Sequence, residues 1–234
     1  MKPVHILLAA ALLCAGRAAA HGGLAEVSVY DRTAGKRLQV HWHEGRAYVA
    51  GKPGNEYQVS LRNRRREEIL AVVSVDGVNA ITGQSADPSQ SGYVLSPQGR
   101  LDIQGWRRSL SQTAAFYFTS LADSYAARTG RPQDVGVIGV ALFRKKPPLP
   151  AAPMAREGAA ADSAKPAERQ LGTGHGRHET SHAYYVGFDR ATSTPAEIIT
   201  LHYDSHANLV ARGIIREAVT HPRRFPGFVP DPQG

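Results

Sequence analysis

The sequence predicts a mainly β protein, an antiparallel β-sandwich or a related barrel with one short helix. About ten short apolar segments are separated by turn residues, and several show the period-two alternation of a half-buried strand. Many short strands with frequent turns are typical of sandwiches and barrels. The alternation of strands and helices that is typical of a parallel α/β fold is absent from the pattern.

The first strands are predicted from alternation. In RLQVHWHE, Leu38, Val40 and Trp42 share one face, which we expect to be buried. His41 and His43 lie on the other face, which we expect to point outward. Further strands in the first half of the chain are predicted at RAYVAG, EYQVSL, ILAVVSV, YVL and LDIQGW.

Turn residues place the connections. Glu44-Gly45 indicates a tight turn before RAYVAG, and Asp76-Gly77 is a strong hairpin signal after VVSV. AAFYFTS is short, apolar and aromatic, which suits a buried strand. SLADSYAART predicts one short helix, which Gly130 and Pro132 would end. VGVIGVALF is rich in β-branched residues and predicts a central strand.

The composition changes after residue 144. Residues 145–170 are rich in proline and alanine and lack aromatic residues, so we expect a disordered, flexible linker. Residues 171–216 contain three predicted strands, at AYYVGF, AEIITLHYD and LVARGII. A unit that small is not expected to fold alone, so its strands should pack on the domain formed by residues 21–144. Residues 217–234 are predicted to be a mobile tail.

The N-terminus has the features of a secretory signal peptide. Lys2 precedes a short apolar run, and Ala18-x-Ala20 is a small-residue cleavage site, so residues 1–20 should be removed. The run is shorter than the about 20 apolar residues of a membrane span, so no transmembrane span is expected after cleavage. Cleavage also removes Cys14, the single cysteine, which leaves no disulfide. The sequence therefore predicts a periplasmic or secreted protein.

The mature chain is expected to be basic. The formal charge is +8, and the predicted signal peptide carries Lys2 and Arg17 without any acid, which leaves +6. Such a charge favours contact with anionic envelope polymers, although it does not by itself indicate a function.

Several motifs resemble those of a known family. They are VSVDGVNAITGQ, GYVL, GWRRSLS, AAFYFTSLADSYAARTGRP and GVIGVALFRKK, followed by LGTGHGR and LHYDSHANLVARGII. Together they are similar to a family of exported bacterial proteins of unknown function, over most of the mature chain. The resemblance implies export and implies no catalytic residue.

HETSH, residues 178–182, matches the H-E-x-x-H pattern of zinc hydrolases. That pattern requires a helix, because only a helix brings both imidazoles to one metal ion. Glycines precede the motif and AYYVGF follows it, which favours a polar loop entering a strand. On a strand, His178 and His182 would lie about 13 Å apart. The alternative role of His178, Glu179 and His182 as a zinc site is therefore disfavoured.

Other histidines raise a second metal hypothesis. Cleavage after Ala20 would leave His21 as the N-terminal residue, whose amine and imidazole can chelate copper. A further ligand would come from one of the other histidines, namely His41, His43, His202 or His206. In LHYDSH, His202, Asp204 and His206 would share a strand face and form a metal or proton-relay site. The simpler interpretation of that segment is a solvated strand face ending in a turn.

Basic clusters occur at RNRRREE, GWRRS and FRKK. Clusters brought to one surface would bind phosphate or sulfate groups of an envelope polymer, whereas scattered clusters serve solubility. No nucleic-acid-binding motif is present, and we expect no nucleic-acid partner. Neither a cysteine nucleophile nor G-x-S-x-G appears in the mature chain, and GTGHG lacks the lysine of a phosphate-binding loop.

The sequence therefore favours an exported, non-enzymatic envelope protein with a binding or structural role. The alternative is a metal-dependent enzyme, either a zinc hydrolase through HETSH or a copper protein through His21.

Overall fold

Two β-sheets packed face to face make up the protein in the computed structural model, which describes residues 19–147 and 171–216. The mainly β fold class is confirmed, and the arrangement is a sandwich. Most of the predicted signal peptide at 1–20, most of the predicted linker at 145–170 and all of the predicted tail at 217–234 lie outside the described residues. No helix within the two described ranges is long and apolar enough to cross a membrane.

The elements are numbered in chain order. The strands are β1 (Ala20–His21), β2 (Ala25–Asp31), β3 (Lys36–Arg37), β4 (Val40–His43), β5 (Arg46–Gly51), β6 (Glu56–Asn63), β7 (Ile69–Val75), β8 (Val78–Asn79), β9 (Tyr93–Leu95), β10 (Arg100–Ile103), β11 (Gly105–Arg107), β12 (Gln112–Ser120), β13 (Val137–Arg144), β14 (Leu171–Thr180) and β15 (Glu197–Ser205). The α-helices are α1 (Tyr125–Arg128) and α2 (His206–Ala211), and Pro132–Asp134 forms a short 3₁₀ helix.

Each sheet contains strands from both halves of the chain. Sheet A has the order β1-β2-β6-β12-β11, with β3 beside β2, β10 beside β6 and β14 beside β12. Sheet B has the order β4-β5-β15-β13-β7-β8, with β9 also beside β7. The pairing is antiparallel except between β5 and β15, which are parallel. Thus β14 extends sheet A, and β15 lies inside sheet B between β5 and β13.

The main core lies between the sheets and contains a stack of aromatic rings. Alternation along β6 turns Tyr57, Val59 and Leu61 inward, and all three are buried. The ring of Tyr57 stacks on Phe118 at 4.2 Å and on Phe116 at 5.4 Å between centroids. These large side chains supply the apolar burial that a domain without disulfides requires.

Both predicted hairpin turns are confirmed. Glu44 and Gly45 have φ of 48° and 75° and connect β4 to β5. Asp76 and Gly77 have φ of 53° and 69° and connect β7 to β8. Positive φ at both central residues matches the right-handed twist of the flanking strands.

The predicted buried strand at AAFYFTS, the short helix and the central strand at VGVIGVALF are also confirmed. β12 buries Phe116 and Phe118, and β13 lies between β15 and β7. Helix α1 begins after Ser124, whose Oγ accepts a hydrogen bond from Ala127 N, and it is followed by Gly130 at φ 79°.

Two strand predictions in the C-terminal part are wrong. AYYVGF is not a strand: it lies beyond the end of β14, and Tyr184 and Tyr185 are 83% and 90% exposed. LVARGII is not a strand because α2 begins where β15 ends. Ser205 Oγ caps that helix by accepting from Asn208 N at 3.2 Å. Helical spacing then buries Leu209 against Tyr48.

The expected burial of Trp42 with Leu38 and Val40 is also wrong. Leu38 and Val40 are buried, but Trp42 is 49% exposed. Trp42 lies in β4, the edge strand of sheet B, opposite Ala47 and close to the hairpin turn. A period-two pattern identifies a strand face but not where the facing sheet ends.

The ordered chain continues into the segment predicted to be a linker. Lys145 forms an isolated β-bridge with Arg190, and Lys146 N donates to Asp189 O at 2.7 Å. Residues 145 and 146 are therefore paired with the chain that precedes β15.

Candidate functional site

The glycine-rich strand β14 was not predicted, and its glycines have a packing reason. A Cβ on Gly174 would meet the ring of Tyr117, and one on Gly176 would lie 2.7 Å from Ala115 O. A Cβ on Gly172 would lie 2.5 Å from Ser124 Cβ. The glycines of GTGHG therefore leave room for side chains and backbone packed against a strand, and the segment is not a phosphate-binding loop.

A β-bulge determines where the histidines of β14 point. Phe116 lies opposite His175 and Ala114 lies opposite His178, so one residue of β12 faces two residues of β14. The extra residue puts His175 and His178, three positions apart, on the same face. Their ring centroids are 6.4 Å apart.

Glu179 of HETSH is held by arginines. Arg32 Nη1 and Nη2 donate to its two oxygens, both at 2.8 Å, and Arg177 forms a further ion pair with it. Arg177 also binds Glu56 at 2.7 and 3.0 Å. These four alternating charges tie β14 to the start of β6 and to Arg32, which follows β2. The glutamate of the zinc pattern is therefore bound in ion pairs, and only 6% of its side chain is exposed to solvent.

The rest of HETSH does not form the helical zinc geometry. Residues 178–180 are the end of a strand, and His182 is exposed beyond it. The predicted polar loop is thus shorter than expected, because the strand reaches Thr180. In the described ranges, no group of three or more His, Cys, Asp or Glu side chains is placed to hold a metal ion.

Two of the copper-ligand candidates, His41 and His202, flank a tyrosine on sheet B. Tyr48 lies opposite both His41 and His202 in the register, and its ring is 5.2 Å from that of His202. Burial lowers the pKa of both histidines, helped by the charge of His206 near His41 and of Arg46 near His202. A buried tyrosine ring between the imidazoles does not suit a shared metal ion.

The remaining candidates lie apart or have other partners. Asp204 is buried and accepts hydrogen bonds from Leu171 N, Ser205 N and Asn208 Nδ2, so it holds backbone and helix α2 in place. His206 is the first residue of α2. His43 lies 3.8 Å from Glu44, and the backbone of His21 pairs with Glu26.

The basic clusters lie at the ends of strands. RNRRREE spans the end of β6 and the turn to β7, GWRRS spans β11 and the start of the turn to β12, and FRKK spans the end of β13 and the two residues after it. The first and third are neighbours, since Lys145 Nζ donates to Glu68 at 2.6 Å. Arg107 Nη1 donates a hydrogen bond to the carbonyl oxygen of Ser181 at 2.8 Å.

A polar groove of about 310 Å³ lies on sheet A, and we call it the outer groove. It is lined by Glu26, Ser28, Tyr30, Arg37, Gln58, Ser60, Leu61, Arg62, Arg100 and Asp102. Most of these residues alternate with inward core residues on β2, β6 and β10, so they form the outward face of three adjacent strands.

The groove is organised in rows across the strands. The middle row contains Ser28, Ser60 and Asp102, with Ser60 Oγ donating to Asp102 Oδ1 at 2.6 Å. Because the serine side chains of this row are small, the middle of the groove has room for a ligand. The row at one end pairs Tyr30 with Gln58.

The row at the other end contains an unfavourable pair. Arg62 lies directly opposite Arg100, and both are exposed. Like charges directly opposite on a sheet destabilise it. Within the described residues, neither guanidinium has a carboxylate within ion-pair distance, although Glu26 lies opposite Arg62 in register and pairs with Arg37 at 3.3 Å. The two arginines are therefore placed to hold an anionic group between them.

Sequence reasoning missed the outer groove. Alternation identifies the outward residues of each strand, but not that β10 pairs with β6 and aligns the rows. Comparison of the chain with models of known protein families, with curated proteins and with solved structures gives no match.

Proposed function

We propose that the chain is an exported, non-enzymatic protein of the cell envelope that binds an anionic, hydroxyl-rich polymer in the outer groove. The observation that carries the proposal is the pair Arg62–Arg100 beside a floor of serine hydroxyls. Guanidinium groups bind carboxylate and phosphate groups through paired hydrogen bonds. Hydroxyl and amide side chains suit the hydroxyl groups of a sugar.

The shape of the groove supports a polymer rather than a small compact ligand. It is open to solvent and crosses three strands, with a tyrosine and a glutamine at one end and two arginines at the other. Buried small-molecule pockets are instead concave and mostly apolar. A chain of sugar units can lie across the rows and present one acidic group to the arginines.

Binding is tested with immobilised polygalacturonate as the anionic probe and dextran as the uncharged one. The double variant Arg62→Ala/Arg100→Ala should bind polygalacturonate about tenfold more weakly or worse, because charge-assisted hydrogen bonds are lost. Added salt should weaken binding by the wild-type protein.

The matched control is Arg65→Ala/Arg66→Ala. It removes the same charge from exposed positions in the β6–β7 turn, outside the groove. This control should keep affinity within about twofold of wild type, as expected for exposed charges away from the contact. An equal loss in both double variants would mean non-specific attraction and would contradict the groove proposal.

Export is supported by Lys2, the apolar run and Ala18-x-Ala20 in the sequence. The protein recovered from the envelope fraction should have the mass of a chain that begins at His21. An intact Met1 terminus, or a lipid on Cys14, would contradict export by simple cleavage.

A further inference from the structure

A second cluster of side chains lies at the corner formed by β11, β12 and β14. We call it the bulge corner and define it by Trp106, Arg108, Tyr125, His175 and His178. Trp106 lies opposite Ala114, which lies opposite His178, so these three residues share one face of sheet A. His175 joins that face through the bulge. The corner thus depends on the register shift that sequence reasoning missed.

Aromatic rings form one wall of the bulge corner. Trp106 lies 5.0 Å from Tyr125 and 6.2 Å from His175, and Tyr125 lies 5.4 Å from His175. The Trp106 and His175 rings are nearly parallel, at 10°. His175 and His178 are exposed, so solvent reaches the corner.

Positive groups converge on this wall. Arg108 Nη1 contacts His178 Nε2. Burial and the charges of Arg108, His178 and Arg128 together lower the pKa of His175. Within the described residues, Arg108 and Arg128 have no carboxylate in ion-pair range, and Glu179, one position after His178, is bound by Arg32 instead. Since a guanidinium only donates, His178 Nε2 accepts from Arg108. The positive charges of Arg108 and Arg128 are therefore left without a carboxylate partner at this corner.

One unpaired polar atom lies at the bulge corner. Among the described residues, Trp106 Nε1 is buried and lacks a hydrogen-bond partner. The unpaired atoms of Arg107 and Thr113 lie on the other face of sheet A, where these two residues are opposite each other. Buried polar groups are usually satisfied, so the unpaired indole N–H is available to an acceptor bound at the corner.

We propose that the bulge corner binds a phosphate or sulfate monoester, with its anionic oxygens on Arg108 and His178 and its organic part on the aromatic wall. Arginine and protonated histidine donate charge-assisted hydrogen bonds to such oxygens. A planar organic group can pack on the exposed His175 ring and the half-buried Tyr125 ring, with Trp106 buried behind them. This site is separate from the outer groove, and the proposal does not depend on the proposed function.

The chain contains two tryptophans, so Trp42→Phe leaves Trp106 as the fluorescent reporter. In that variant, phenyl phosphate and inorganic phosphate should each change Trp106 fluorescence in a saturable way, with phenyl phosphate the tighter of the two. Phenol and sodium chloride at equal ionic strength should not.

Arg108→Ala and His178→Ala, each added to Trp42→Phe, should weaken phenyl phosphate binding by about tenfold. Both side chains are exposed, so thermal melting should show that the variants fold. Arg46→Ala, at the β4–β5 hairpin, is the charge control and should bind normally. The Arg62→Ala/Arg100→Ala groove variant should also bind normally, which separates this proposal from the groove.

Three outcomes would overturn the proposal. They are no saturable response to either phosphate, the same response with phenol or sodium chloride, and an equal loss of affinity in Arg46→Ala. Equal affinity for phenyl phosphate and inorganic phosphate would overturn the role of the aromatic wall.

Discussion

Replacing Asp76 with alanine is expected to lower the free energy of unfolding by about 2–6 kcal/mol. The Asp76 carboxylate is fully buried and accepts hydrogen bonds from Gly136 N at 2.9 Å, Thr173 N at 2.7 Å and Tyr203 Oη at 2.5 Å. Alanine would leave the two backbone donors without an acceptor, and Tyr203 Oη would keep only its contact with Thr173 Oγ1. Each buried donor left unpaired costs about 1–3 kcal/mol. Urea denaturation measures the change.

The same carboxylate is one end of a network between the sheets. Thr173 Oγ1 lies 2.6 Å from both Tyr203 Oη and Tyr57 Oη. Tyr57→Phe removes one hydrogen bond at the far end and should cost about 0.5–1.5 kcal/mol. If Asp76→Ala costs no more than Tyr57→Phe, Asp76 is not the central acceptor that its geometry indicates.

Asp76 also gives the fold a specific pH dependence. Burial raises its pKa from 3.8 to about 6, and this effect exceeds the opposing effect of its hydrogen-bond donors. Below about pH 4 the group is protonated in both states. Between that pH and about 6, only the folded state keeps the proton, so the stability that Asp76 contributes falls as pH rises. Above about pH 6 it changes no further.

Asp76→Asn isolates this dependence because asparagine does not titrate. The stability of wild type relative to Asp76→Asn should fall by about 3 kcal/mol between pH 4 and pH 7.5. Urea denaturation of both proteins at several pH values measures the difference. A difference that instead grows in favour of wild type as pH rises would show that the donors, rather than burial, control the pKa of Asp76.

The sequence was sufficient to predict the hairpin turns, because there two adjacent residues determine the backbone conformation. Glu44-Gly45 and Asp76-Gly77 supply positive φ at two successive positions, and the hairpins form there. β13 was predicted because β-branched residues suit a strand with neighbours on both sides. These features depend on residues adjacent in sequence, which explains why the sequence alone predicts them.

Strand propensity gave wrong predictions where packing against another strand determines whether a segment forms a strand. LGTGHGRHET has poor strand propensity, yet it pairs with β12 over ten residues because Tyr117 needs glycines beside it. AYYVGF has high propensity but lies beyond the end of β12, so it lacks that strand as a partner. The pairing of a strand depends on a partner that is distant in sequence.

The candidate sites show the same limit. The prediction that HETSH is not helical is confirmed, because the glycines and the apolar run around it are local signals. The outer groove requires Ser28, Ser60 and Asp102 to lie side by side, which only the register of three strands determines. The bulge corner requires one additional residue in β14, for which we found no sequence signal.

A fragment of residues 19–147 is expected not to fold. It retains β1 to β13 but loses β15, which lies between β5 and β13 in sheet B. Removing an interior strand leaves two unpaired edges and splits the sheet. It also removes Leu201 and Tyr203 from the core, and loss of β14 removes Thr173 from the network around Asp76.

Circular dichroism of the fragment should show no cooperative melting transition, because burying large apolar side chains contributes about 1.5–3 kcal/mol each and several are missing. A chain that ends at Arg216 keeps every described strand and serves as the control, which should melt as the full chain does. Adding residues 171–216 as a separate chain should partly restore the transition, since both sheets can then be completed. A 19–147 fragment that melts cooperatively at the temperature of the full chain would show that β14 and β15 are dispensable, and that their place in the two sheets contributes little to the stability of the rest.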